Sequence, residues 1–301
     1  MTTAQHSRST KSFNFGRTVS WGLLIVLIFI SIFPIWVALK TALSDRQEIF
    51  EHAAELLPSG LTFFNFERAL GIVSPNDPRI ANLGGGTLNM GVALRNSVLF
   101  VAVCVFGQIL FSAMAAYAFA RLKFPGRNIL FIMILSAMMI PGIVLFIPNF
   151  IFIKELGWLN TFQGMVAPYV LMTPFAVFFL RQFFLSIPLE LEEAARLDGA
   201  SQVMIFIRIV LPLARGPLST LGILTSINLW NEFFWPYLVT NDENLRTLPV
   251  ALQIFRQQQP QGPPDWTGIM SGTFLSIIPV FLLLVFLGRQ VVESLQFSGS
   301  K

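Results

Sequence analysis

The chain has 301 residues, 54% of them hydrophobic and 12% charged, with 20 Lys and Arg against 16 Asp and Glu and a net charge of +4. Soluble domains carry about 25% charged residues, so a mean hydropathy of +0.68 excludes a globule facing water on all sides. A single cysteine, Cys104, allows no intrachain disulfide and no multi-cysteine centre, and His6 and His52 lie far apart in polar sequence; no metal site, cofactor or His-based catalytic cluster is expected, and no nucleic-acid partner.

In chain order, residues 1–17 form a basic tail with Arg8, Lys11 and Arg17 and no acid. Thr18 to Leu39 is the first charge-free run. It is longer than a signal-peptide core and lacks a small-residue cleavage site, so it reads as a retained helix. Further runs of the length that crosses about 30 Å of hydrocarbon lie between Arg95 and Arg121, Arg127 and Lys154, Glu155 and Arg181, Gly216 and Thr240, and Asp265 and Arg289. Unpaired backbone amides are costly in lipid, and runs this long do not fit barrel strands, so all six are read as helices. Short loops place Arg121, Lys123 and Arg127 on the side of the amino-terminal tail and most acids on the other, which puts both termini in the cytoplasm. The expected organisation is a tail at 1–17, a six-helix membrane domain at 18–289 and a tail at 290–301. Pro141, Pro148, Pro174, Pro236 and Pro279 are expected to kink their spans, and Asn149 and Gln108 to make packing hydrogen bonds.

The loop 185–215 is patterned. Ser186 and Pro188 read as a helix start, followed by Glu190, Glu192 and Glu193 near the positive end of the dipole. Asp198-Gly199 reads as the stop, because glycine accepts the left-handed conformation. Ser201 caps a second helix running to Leu211-Pro212.

Glu193-Ala194-Ala195, three residues, Gly199, nine residues, Ile209, one residue, Leu211-Pro212 resembles the EAA signature of ABC importer permeases at every position. Asn96-Ser97, the stretch Ala115 to Arg121, Asp198-Gly199-Ala200, Trp230 to Phe233 and Leu248-Pro249-Val250 resemble the carbohydrate branch, and within it the smaller permease of the maltose-type pair. The resemblance implies an all-α, polytopic fold with six transmembrane helices and a cytoplasmic EAA coupling helix, the type I importer permease fold, in the inner membrane. It implies half of a pathway for a carbohydrate or related polyol. The implied partners are a second, different permease, two ATPase subunits and an extracytoplasmic solute-binding protein. ATPase coupling would fall to Glu193, Ala194, Ala195, Arg196, Asp198, Gly199, Ile209, Leu211 and Pro212. The chain is not an enzyme on this reading, and it contains no phosphate-binding G-x-x-x-x-G-K-[ST] loop.

Two further expectations come from the residues. Glu232 is the lone acid within a span. With Asn228, Asn231 and Trp235 it would share one face of a continuous helix, a candidate lining for hydroxyl-rich solutes or else a packing face against the partner permease. The long segments Thr41–Gly91 and Asn241–Asp265 read as loops. Gln257, Gln258 and Gln259 in the second are candidate contacts for the binding protein, as the resemblance also implies; the plain alternative is a connector. A self-sufficient, ion-driven secondary transporter is the alternative function, against which stand the single intramembrane acid and the lack of an internal repeat.

Overall fold

A computed structural model describes residues 15–52, 54–74, 77–81, 89–257 and 264–296, and its regular structure there is entirely helical. The Gly84–Gly86 run and Gln258 and Gln259 lie outside these residues. Three helices are long and apolar enough to cross a membrane unbroken: α1 (Phe15–Ala42), α4 (Met90–Arg121) and α15 (Trp266–Gln296). Between α1 and α4 lie the short α2 (Phe64–Ala69) and α3 (Pro78–Ala81). Pro34 and Pro279 sit inside α1 and α15 without breaking them, so Pro279 marks no interruption.

The other membrane segments are bent, which the run lengths did not announce. The third is α5 (Arg127–Ser136) and α6 (Phe146–Glu155), joined through 3-10 turns that break at Ile140–Pro141; the two arms meet at 97°. The fourth is α7 (Phe162–Val166), a non-helical stretch 167–172, and α8 (Pro174–Ser186). With 13 residues, α8 is about 20 Å long and too short to span by itself. Pro174 does not kink a helix but starts one, with Thr173 Oγ1 accepting from Ala176 N at 3.3 Å.

Irregular backbone at membrane depth must find partners in the protein, and α4 supplies them. Gln108 Nε2 donates to Tyr169 O at 2.7 Å, and Ser112 Oγ accepts from Thr173 N at 3.2 Å. Gly107 makes room: a methyl group there would collide with the Val170 carbonyl oxygen. The Gln108 amide is therefore a packing group, as its position suggested.

The loop segment following α8 contains α9 (Leu189–Leu197), α10 (Gln202–Ile205), a π-helical turn at Phe206–Val210 and α11 (Leu211–Leu213). It turns by 76° at Ala214 into α12 (Arg215–Trp230), which ends before the short α13 (Phe234–Val239). The segment between the fifth and sixth spans is more than a connector, because it holds α14 (Leu248–Gln257). Leu248, Ala251 and Phe255 are buried at helical spacing and pack with Met90, Ala93 and Trp230.

Two further clusters complete the interior. Phe100, Cys104, Ile153, Met165, Val166, Trp235 and Val239 fill the middle. Tyr117, Leu180, Phe184, Ile205, Phe206, Val210 and Leu221 join α4, α8, α12 and the loop 185–215. By contrast α1 exposes an all-round apolar surface from Val19 to Val37 and is anchored at its Ala38–Ala42 end against α15.

Candidate coupling surface and pathway face

The loop 185–215 departs from expectation at its start and follows it at its stop. Ser186 is the last residue of α8, and its Oγ donates to Phe183 O at 2.7 Å; it does not cap α9. Ile187-Pro188 is an extended corner that turns the chain by 74° into α9. Proline disfavours helical geometry in the residue before it, so the corner falls at Ile187. Glu190 and Glu192 then occupy the first turn of α9.

The stop at Gly199 has φ +81°. Ala200 N donates to Ala195 O at 2.9 Å and Gly199 N to Arg196 O at 3.0 Å, the 6→1 and 5→2 pair of a Schellman ending. Ser201 Oγ accepts from Met204 N at 3.3 Å and caps the next helix. Pro212 has no N–H for the i−4 carbonyl, and the turn before it widens to π geometry, with Leu211 N reaching Phe206 O.

The signature residues divide between two surfaces. Ala195, Ile209 and Leu211 pack against the interior cluster. Glu193, Ala194, Arg196, Asp198 and Gly199 face outward, and Pro212 is half-buried. Leu197, which the sequence did not single out, is 91% exposed at the tip of α9. Leu189 and Leu191 are exposed as well, so an otherwise charged helix carries apolar side chains at its surface.

Glu192, read from the sequence only as a first-turn acid suited to the helix dipole, is fully buried. One carboxylate oxygen pairs with Arg121 Nε at 2.7 Å and the other with Arg196 Nη2 at 3.4 Å. Its spacing of three from inward-facing Ala195 is the signal that would have placed it on the inner side of α9. The charge of Arg196 is thus partly engaged within the chain.

The candidate pathway face is divided. Asn231 and Phe233 interrupt the helix, so residues 228, 231, 232 and 235 do not share one continuous face. Asn228 and Asn231 are exposed, and Asn231 Nδ2 donates to Ile227 O at 2.8 Å. Glu232 is half-buried beside the Tyr169 ring, and its Oε1 accepts from Trp235 N at 3.1 Å, capping α13. That cap turns Trp235 inward: it is 1% exposed, and its indole donates to Gly164 O at 3.2 Å. Trp235 is therefore a core residue in this chain, while the two asparagines and the edge of Glu232 stay open. Gln257 is exposed at the end of α14.

Comparison with known proteins fits this arrangement. The family described as "Binding-protein-dependent transport system inner membrane component" matches residues 108–296. The sn-glycerol-3-phosphate transport system permease protein UgpE of Pectobacterium atrosepticum is 32% identical over 273 residues, 91% of this chain and 93% of that protein. The arabinooligosaccharides transport system permease protein AraQ of Halalkalibacterium halodurans is 32% identical over 94% of this chain and 97% of its own length. Among solved structures, a bacterial ABC transporter involved in the import of the acidic polysaccharide alginate superposes with a TM-score of 0.76 at 23% identity, covering 95% of this chain and 99% of that one. The second, of an alginate transporter in complex with its pentasaccharide-bound periplasmic protein, gives 0.56 at 12% identity. A family match across most of the chain, full-length relatives and a shared fold decide between a transporter driven by its own ion gradient and a subunit of a larger machine: this multi-pass membrane chain belongs to the family of inner membrane permease components of binding-protein-dependent ABC transport systems.

Proposed function

We propose that this permease forms half of an import pathway for a neutral, hydroxyl-rich solute, a carbohydrate or polyol, in a complex with a second, different permease, two ATPase subunits and an extracytoplasmic binding protein. The observation that carries the proposal is the division of the EAA segment into an inward half packed on the bundle and an outward half presenting Glu193, Ala194, Arg196, Leu197, Asp198 and Gly199. The outward half is the docking face for an ATPase, with both termini and residues 290–301 on the same, cytoplasmic side. Covering exposed Leu197 would remove apolar surface from water and so favour docking. The relatives that carry sn-glycerol 3-phosphate and arabinooligosaccharides support the solute range. Asn228, Asn231 and Glu232 favour the neutral end of it, since amides hydrogen-bond hydroxyls and a carboxylate repels an anion. Gln257, at the end of α14, and Gln258 and Gln259, which follow it in sequence, are the proposed contact with the binding protein.

Affinity purification of the tagged chain with its co-encoded partners tests the assembly. ATPase subunits in equal number to the two permeases are expected. The purified binding protein, screened by thermal shift against arabinooligosaccharide, maltose and sn-glycerol 3-phosphate, is expected to be stabilised by a neutral sugar. Stabilisation by the phosphate ester alone would contradict the solute assignment.

A further inference from the structure

We infer that α4 is a connecting rod that couples the two faces of the transporter through two side-chain joints, Glu192–Arg121 at the α9 end and Asn96–Ser97 at the α14 end; the inference rests on the importer reading above. The first joint is built from the buried acid that the signature does not explain. Glu192 and Arg121 have side chains 0% and 8% exposed, and their ion pair ties the inner side of α9 to the last residue of α4. Arg121 Nη2 also donates to Ile187 O at 2.6 Å, so one guanidinium grips both the corner before α9 and the helix itself. One turn back, Tyr117 donates to Gln202 Oε1 at 2.9 Å and packs its ring 5.1 Å from Phe206, holding the segment after Gly199. The whole coupling segment is thus fastened to the end of α4.

The second joint is at the opposite end. Asn96 Nδ2 donates to Asn244 O at 2.7 Å and to Arg246 O at 3.1 Å, and Ser97 Oγ accepts from Leu248 N at 2.7 Å. These bonds fix the entry to α14, the helix that leads to the Gln257 segment. Asn96 and Arg121 are separated by about 38 Å along a helix at 1.5 Å per residue. Of the spans near the coupling segment, the third, fourth and fifth are broken, whereas α4 runs from Met90 to Arg121 without interruption. A rigid helix with a fastened element at each end transmits a displacement that a broken one absorbs. A buried ion pair is weak evidence for stability, because desolvation offsets its attraction; a joint that must not slip accounts better for a charge buried under a docking helix. The Arg196 contact to the second Glu192 oxygen, half open to solvent, lets docking on the outer face be felt at the same carboxylate.

The test uses the full complex in lipid nanodiscs, with ATP and with the binding protein as it purifies from cells. The reading is the fold-stimulation of ATP hydrolysis by the binding protein. Glu192→Gln and Asn96→Ala are each expected to keep the ATPase subunits bound and to lower stimulation about ten-fold, the size of an ordinary allosteric coupling. Because both cut the same linkage, the double variant is expected to be no worse than either single one. Wild-type stimulation in either variant, or losses that multiply in the double, would overturn the rod. If Glu192→Gln fails to assemble, Asn96→Ala decides alone, since it sits at the far joint and leaves the docking segment untouched. A wild-type chain that brings down no ATPase would sink the importer reading, and the rod with it; a stimulated wild type with unaffected variants sinks the rod alone.

Discussion

At the scale of single residues, the outer face of α9 separates folding from coupling. Nothing lies within 4 Å of where a Cβ would stand on Gly199, yet its φ is +81°. Gly199→Asp therefore costs the chain only the left-handed strain, about 1 kcal/mol. It is expected to leave the melting temperature of the purified permease within a few degrees of wild type and to abolish solute-stimulated ATP hydrolysis in the complex. Full stimulation would show that Gly199 does not lie in the coupling surface. Leu197→Asp is the sharper case, because the side chain is 91% exposed; surface changes of this kind move stability by about 0.5 kcal/mol or less. The variant should fold and lose most of its co-purifying ATPase, measured as subunit ratio on a gel. Gly107→Ala should do the reverse. Its methyl group meets the Val170 carbonyl oxygen of the broken fourth span, so thermal stability in detergent falls by several degrees while the docking surface is untouched. The stop at Gly199 and the cap at Ser201 were legible in the sequence because each acts within four residues of itself. Glu192 and Leu197 were not, because their meaning lies in which side of α9 meets the bundle, and that is set by Arg121, distant in sequence.

Among the elements, membrane length was legible and membrane shape was not. Apolar runs, charge-free except for Glu232 in the fifth, located all six segments, but α1, α4 and α15 alone are single unbroken spanning helices among the described residues. The breaks at 167–172 and at 231–233 are held by side chains that take up the freed backbone groups, Gln108 for Tyr169 O and Glu232 for Trp235 N. Proline alone does not announce them, since Pro34 and Pro279 are carried inside continuous helices. The break at 231–233 removes Trp235 from the candidate lining. The helix α14 was visible in retrospect as Leu248, Ala251 and Phe255 at spacings of three and four. Its context, between a glutamine- and proline-rich stretch and a run of polar residues, hid the pattern. Replacing residues 257–261 by a Gly/Ser linker of equal length leaves α14 and its bond to Ser97 in place. Transport at saturating binding protein is expected to fall while ATPase assembly persists; unchanged transport would leave the segment as a tether.

For the whole molecule, α1 stands apart. It exposes apolar side chains on all sides from Val19 to Val37 and anchors at one end to α15, an all-round apolar surface suited to surrounding lipid. The compact remainder joins α9, the proposed docking helix, at one end to α14 at the other. That polarity predicts that a reporter active only outside the cytoplasm stays silent when fused after Lys301, and activity there would overturn the topology. The central claim, that the outward half of the EAA segment is where the motor attaches, is met most directly by cross-linking. Cys104 is fully buried, so an Ala194→Cys chain offers one accessible thiol, on the outer face of α9. In membranes labelled with a maleimide that carries a photoactivatable diazirine and then irradiated, this variant should give an adduct of permease plus one ATPase subunit, absent from the wild type and from a control thiol at exposed Glu243, near the α14 end. No adduct, or one equally strong from position 243, would contradict the account.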